Sequence, residues 1–385
     1  MDNSVMSKQY QNEYEIMKEN EGIVLFYPHI PKMAFKEIEN TLAGRWIGQG
    51  PKVDLFEKEF SNRFTNGLTS IAVGSGTDAL HLAYILAGLK PGDEVVAPVF
   101  TCTATNIPLL YLGVTIRFAD IDPKTMNIDV AHVEKLVNEK TKAIICVHYG
   151  GLPADLDELQ EIAQKWDIPV IEDAAHAIGA VYKGRSIGSI SDFTMFSFQA
   201  IKQITTGDGG LLTIKNPTLI DKAKRIRWFG IDRTKKQKGI WENDIYEIGF
   251  KYQMTDIAAS IGLASLREYN QTLALRQKLF KKYEKELKDV QGLTFVGGNL
   301  ADRKHAAWLC TIIVDEKENL MKTLRENRIE SAQVHYRNDR YSVFKDFRGD
   351  FPNMDKIENN YLVLPLHTKM RIEDVEKITS IIKRG

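Results

Sequence analysis

Cysteine is scarce in this chain: Cys102, Cys146 and Cys310 are the only three among 385 residues. They are odd in number, far apart and without paired metal-ligand spacing. That excludes a disulfide framework and a cysteine-built metal site, and it points to a reduced, cytoplasmic protein. Net charge is also absent. Lysine and arginine together number 51, as do aspartate and glutamate. No global field therefore draws the chain to nucleic acid or to an anionic membrane, and any anion site has to be built locally. No apolar run approaches the ~18 residues of a membrane-spanning helix. Residues 1–22 are polar and charged, with neither the apolar core of a signal peptide nor the arginine bias of a transit peptide. Internal repeats, low-complexity tracts and a heptad seam are missing too.

What is there is an ordinary globular composition, too long for one small core. A polar arm over 1–22, a large domain over 23–262 and a smaller C-terminal α+β domain over 263–385 are expected. Apolar strand candidates recur at 70–73, 94–97, 115–119, 143–147, 170–172, 193–198 and 211–214, most of them separated by helical stretches such as 155–166. Strands alternating with helices predict an α/β fold with a mostly parallel seven-stranded sheet covered on both faces. Functional groups should then gather at the carboxyl ends of the strands. A long helix is expected from Asp256 to about Lys288. Beyond it a strand over 307–314 and helices over 316–325 and 372–382 belong to the smaller domain.

Suggestive residues do fall at strand ends. Gly74-Ser-Gly-Thr-Asp78 follows the first strand and opens a helix, where free backbone N–H groups and the helix dipole converge on one spot. Gly76 and Thr77 could cradle an anion there, although a plain helix entry has the same look. Asp173 directly follows a buried strand; a carboxylate at that place needs a cation or several donors, or else serves as a helix N-cap. His176 by itself is more often structural than functional. Lys202 lies in the loop between the apolar runs 193–198 and 211–214, with Thr205 to Gly210 supplying small, φ-permissive residues. An amine desolvated there loses pKa, which frees its lone pair for a Schiff base with a carbonyl. Ser197, five residues earlier, offers a hydroxyl to a phosphate. Residues 222–238 carry eight basic residues against one acidic. That is a solvated face or a local site for a nucleotide diphosphate, with Arg227 and Trp228 as its charge and ring. His335, Tyr336 and Arg337 form an aromatic and cationic group in the C-terminal part.

Taken together, Gly48-Gln-Gly-Pro51, Gly74-Ser-Gly-Thr-Asp-Ala-Leu80, Glu172-Asp-Ala-Ala-His176, Ser197 through Lys202 to Gly210, and Gly249 through Thr255 resemble the DegT/DnrJ/EryC1/StrS sugar aminotransferases. The resemblance covers about Gly48 to His367 and implies the fold type I architecture of pyridoxal-phosphate enzymes. It implies that Lys202 carries the cofactor and later shuttles the proton, and that Asp173 pairs with the pyridine nitrogen. Gly76, Thr77 and Ser197 would hold the phosphate, and His176 would sit near the cofactor's 3-hydroxyl. Lys251, from the second subunit of a homodimer, would reach the phosphate across the interface. Cys102 stands where many relatives stack an aromatic ring on the cofactor, leaving open whether Phe100 covers that face. Lys251 and Gln253 replace the more usual asparagine and arginine, and Gln199 a frequent histidine. The implied reaction moves an amino group from an amino acid, L-glutamate above all, to a nucleotide-linked keto sugar in amino-sugar biosynthesis. Lys202 argues against the dehydratase branch, which has histidine there. Another pyridoxal-phosphate reaction on the same fold, such as elimination or aromatic amine formation, stays open. So does a non-catalytic sensor.

Overall fold

A computed structural model describes residues 21–384 except 243 and 299; most of the polar arm expected over 1–22 lies outside the described residues. Its centre is a seven-stranded sheet. In spatial order the strands are Ser70–Val73, Gly210–Ile214, Phe193–Ser197, Val170–Asp173, Thr141–Val147, Glu94–Pro98 and Thr115–Ala119. All seven coincide with the expected apolar runs. Six point the same way, whereas Gly210–Ile214 runs antiparallel to both of its neighbours. The reason is local: that strand returns directly from Phe193–Ser197 through the lysine loop, with Gly210 opposite Ser197.

One apolar cluster on the sheet includes Val73, Val95, Ile145, Ile171 and Leu212; another includes Ala72, Val96, Ile144, Val170 and Leu211. Both faces of each strand are thus buried, as expected when helices cover a parallel sheet. The Asp256–Leu287 helix starts with Thr255 as its N-cap, the hydroxyl accepting from Ala258 N. Its Asp256 carboxylate accepts from Gly50 N and Val53 N at 2.8 and 3.0 Å, which pins the Gly48–Pro51 loop to the helix start. The helix contributes Ala259 and Leu263 to a core cluster of the large sheet, and Leu279 and Tyr283 to a third cluster around the C-terminal sheet. That sheet is antiparallel, in the order Leu293–Phe295, Cys310–Val314, Tyr361–Leu364.

One expectation is corrected. The strand expected over 307–314 starts only at Cys310. Ala307 has φ 52°, and the backbone before Cys310 instead donates from Ala306 and Trp308 to Gly151 and Gly150 at 2.8 and 2.9 Å. At the amino end, Ile23 bridges Ile329 and joins the C-terminal core rather than the large sheet.

Candidate active site

Lys202 sits in the hairpin loop at the carboxyl end of Phe193–Ser197, half-buried. Its N–H donates to Gln199 O at 2.9 Å. The loop is tied down by Gln203, whose amide donates to His176 O at 2.7 Å. Thr205 Oγ1 also donates to Phe198 O at 3.2 Å. Burial lowers the Lys202 ammonium to about 8, against the opposing influence of Cys102 and Asp173. A lysine poised there holds a sizeable free-amine fraction near neutral pH, which a nucleophile or a proton shuttle requires.

Asp173 ends the neighbouring strand and is 4% exposed. It accepts from Thr105 Oγ1 at 2.7 Å and from Ala175 N at 3.0 Å. Burial nevertheless raises its pKa, with the Lys202 charge among the influences working the other way. Two donors and a nearby lysine leave this carboxylate short of the cation that burial calls for. Glu172, on the opposite face of the same strand, is differently placed. It meets His148 Nε2 at 2.7 Å, both side chains fully enclosed.

The Gly76–Leu86 helix begins opposite the lysine loop, with Ser75 accepting from Asp78 N as its cap. A Cβ added at Gly76 would come within 3.1 Å of Ser197 Cβ and 3.3 Å of its Oγ. Gly76 and Ser197, far apart in the chain, are thus brought face to face at a helix N-terminus, with Thr77 the next residue. Backbone donors, a hydroxyl and a helix dipole at one point are the elements from which an anion cradle can be built.

The remaining expected residues divide into those brought to Lys202 and those held elsewhere. His176 is buried and accepts from Gly150 N through Nδ1 at 3.3 Å; burial, then the Lys202 charge, push its pKa far down. His335 stacks on His176 with ring centroids 5.3 Å apart. Its Nε2 is enclosed without a partner among the described residues, its φ is 68°, and burial lowers it to about 3. The Tyr336–Arg337 pair aligns with Phe100–Thr101, placing His335 near the exposed Cys102, which opens the Thr103–Tyr111 helix. Phe100 is not free to cover a ligand, because its ring packs against Tyr149 and Tyr361 in the core. The aromatic ring over Lys202 is Trp308, 3.6 Å from Nζ to ring centroid. Sequence reading missed it because a tryptophan before an apolar strand reads as core.

Arg337 is a correction. Its guanidinium is 4% exposed and paired with Asp339, Asp355 and Glu358, so it is engaged by carboxylates rather than turned toward a substrate. Arg227 is another. It is buried, donating to Glu57 at 2.6 Å and to Ala72 O at 2.9 Å, because the segment expected to be a basic surface turns this side chain inward. Arg225 is likewise engaged with Glu247. Trp228 bridges to Lys251 through the backbone. Lys251 is exposed, yet its segment is not remote from the cradle: Gly74 N donates to Tyr252 O at 2.8 Å and Val73 bridges Gln253. Distance along the chain is therefore no argument for a contribution from a second subunit.

Residues 28–383 match the model of the DegT/DnrJ/EryC1/StrS aminotransferase family. The chain is 34% identical over 385 residues to the spore coat polysaccharide biosynthesis protein SpsC of Bacillus subtilis (strain 168), covering 96% of this chain and 98% of that one. It is 31% identical over 382 residues to the UDP-4-amino-4-deoxy-L-arabinose–oxoglutarate aminotransferase of Shewanella sediminis (strain HAW-EB3), covering 94% and 98%. Among solved structures, Spr1654 from Streptococcus pneumoniae in its PLP form superposes with a TM-score of 0.87 at 30% identity, covering 94% of this chain and 98% of that one.

Proposed function

Because the chain belongs to the DegT/DnrJ/EryC1/StrS aminotransferase family, we propose that it is a pyridoxal-phosphate-dependent aminotransferase. It moves an amino group from L-glutamate to a nucleotide-linked keto sugar. The observation that carries this reading is the convergence of a half-buried lysine, a buried strand-end carboxylate and a glycine-hydroxyl anion cradle at the carboxyl ends of the sheet strands. The relative from Shewanella sediminis is named for a UDP-linked amino sugar and for oxoglutarate, which supports both the nucleotide and the donor.

The residues present suit the cofactor. Asp173 lacks a cation and would hold the proton of a pyridine nitrogen; Gly76, Thr77 and Ser197 would take the phosphate. Cys102 and His176 line the space beside Lys202, and the cofactor's 3-hydroxyl belongs near His176. When bound, pyridoxal phosphate makes the C–H bond next to a substrate imine acidic and accepts the resulting electron density. Lys202 would anchor it and carry the proton at Nζ, a task for which a pKa of about 8 is well matched. His335, with its unpartnered Nε2, and Tyr336 border the space for the sugar.

A homodimer with shared sites completes the reading. Phe35, Trp241, Tyr246 and Ile248 are 71, 73, 67 and 87% exposed, large apolar side chains that a second copy of the chain would cover. Lys251 lies exposed close in the chain to Tyr246 and Ile248, placed to reach a partner's phosphate cradle, with Trp228 alongside. Among the described residues no helix is long and apolar enough to cross a membrane, and all three cysteines are free. Both suit the cytoplasm.

Half-reactions test the assignment. Glutamate should convert the bound cofactor to its pyridoxamine form, and a keto sugar nucleotide should convert it back. If amino donors leave the spectrum unchanged, or only free sugars or simple keto acids reverse it, the assignment fails.

A further inference from the structure

Lys202 Nζ lies 3.6 Å from the centroid of the Trp308 ring, well inside the ~6 Å reach of a cation–π contact. Trp308 is 2% exposed and is fixed from several directions. Its ring stacks on His176 at 3.8 Å and 16° and against Phe26 at 5.8 Å and 17°. Its backbone N–H donates to Gly150 O at 2.9 Å, and the left-handed Ala307 before it, φ 52°, turns the chain so that the indole leaves the strand direction. Its Nε1–H donates to Ile201 O at 3.1 Å, the carbonyl next to Lys202. One side chain of the C-terminal unit thus holds both the backbone and the amine of the lysine.

Resting on the reading of Lys202 as the reactive amine, we propose that Trp308 is its positioning residue: the indole N–H fixes the lysine loop, and the π face receives the amine in its ammonium form. The physical reason lies in what else faces that amine. Asp173 and Cys102 favour the cation; burial and the Arg276 guanidinium oppose it. His176 and His335, both within the field of the lysine, are held uncharged mainly by burial. The negative face of the indole adds to the side of the cation without adding a charge that would compete for it. It also gives the lysine a defined place whenever it is not bonded to another group. Without that face the free amine gains share and the side chain loses its direction.

The test uses the cofactor-free protein, so that it does not depend on turnover. Trace acetylation of Lys202 with acetic anhydride across pH, read on its peptide by mass spectrometry, reports the apparent pKa of that amine. In wild type, Trp308→Phe and Trp308→Leu the apparent pKa should fall in that order. The leucine variant should end ~0.4–1.5 pH units below wild type, the shift expected from a cation–π contact of ordinary strength. Replacing all five tryptophans with a fluorinated analogue keeps the ring's shape and weakens its negative face. That protein should shift in the same direction, and it decides the matter if Trp308→Leu does not fold. Whether Lys202 binds pyridoxal phosphate is read separately by borohydride reduction, so failure of the functional reading is distinguishable. An apparent pKa that stays constant or rises in Trp308→Phe and in the fluorinated protein overturns the proposal.

Discussion

Replacing Glu172 with glutamine should destabilise the protein although the two side chains have nearly the same shape. His148 Nδ1 accepts from Ala154 N at 3.0 Å, so the ring proton sits on Nε2 and is donated to Glu172 Oε2 at 2.7 Å. The other carboxylate oxygen accepts from Ser191 N at 3.1 Å and Thr194 Oγ1 at 3.2 Å. Every neighbour is a donor, and a carboxylate only accepts. An amide cannot satisfy this arrangement. With its NH2 toward His148, two donors face each other; turned round, the NH2 meets Ser191 N–H; and if His148 changes tautomer, Ala154 N–H is orphaned. Each outcome leaves a buried donor without an acceptor, worth about 1–3 kcal/mol. The near-isosteric change opens no cavity to confuse the account.

The measurement is urea unfolding of the cofactor-free protein, where the midpoint should fall at unchanged slope. A pH series adds a second check. Burial works against the charged Glu172, but the donors, His148 first, outweigh it and hold its pKa below the usual range. A carboxylate with a depressed folded pKa contributes stability that is present above its unfolded pKa and is lost as pH falls through the folded one. The gap between wild type and Glu172→Gln should therefore narrow in acid. Equal midpoints at pH 7, or a gap indifferent to acid, would refute the reasoning. Function is coupled to this strut, since His148 N donates to Asp173 O at 3.1 Å.

Lys202→Met should make the cofactor-free protein more stable near neutral pH. The folded lysine, lowered to about 8, binds fewer protons than the unfolded one between about pH 8 and the ordinary lysine range, so wild-type stability rises with pH there. The advantage of the variant in thermal melts should shrink above about pH 8, and a constant advantage would count against the depressed pKa. Gly76→Ala should weaken capture of pyridoxal phosphate by roughly tenfold or more, about 1.4 kcal/mol, because its Cβ crowds Ser197 at 3.1 Å. The helix itself gains from alanine, so an unchanged absorbance titration would remove Gly76 from the cradle. Mixing inactive Lys202→Ala with Lys251→Ala protomers should restore part of the activity if sites are shared between subunits. No recovery on mixing, with hybrid dimers demonstrated, would place Lys251 outside the partner's site.

Much was legible from local pattern. All seven strands of the large sheet and the long helix from Asp256 were readable because parallel strands buried on both faces are continuous apolar runs and the helix begins with a capping threonine. Lys202, Asp173 and Gly76 could be named as candidates as well, since they stand in a hairpin loop, at a strand end and at a helix start, where backbone geometry is dictated within a few residues. Only the folded chain decided the company they keep. Gly76 meets Ser197 because the lysine hairpin turns one strand antiparallel between its neighbours. The ring over Lys202 is Trp308, since a left-handed Ala307 delays the strand by three residues. Arg227 and Arg337 carry the same charge as any surface arginine in the sequence, yet Glu57 claims the first and the buried Asp339, with Asp355 and Glu358, the second. The Glu57–Arg227 pair joins residues 170 apart in the chain, and composition and spacing hold no record of such a contact.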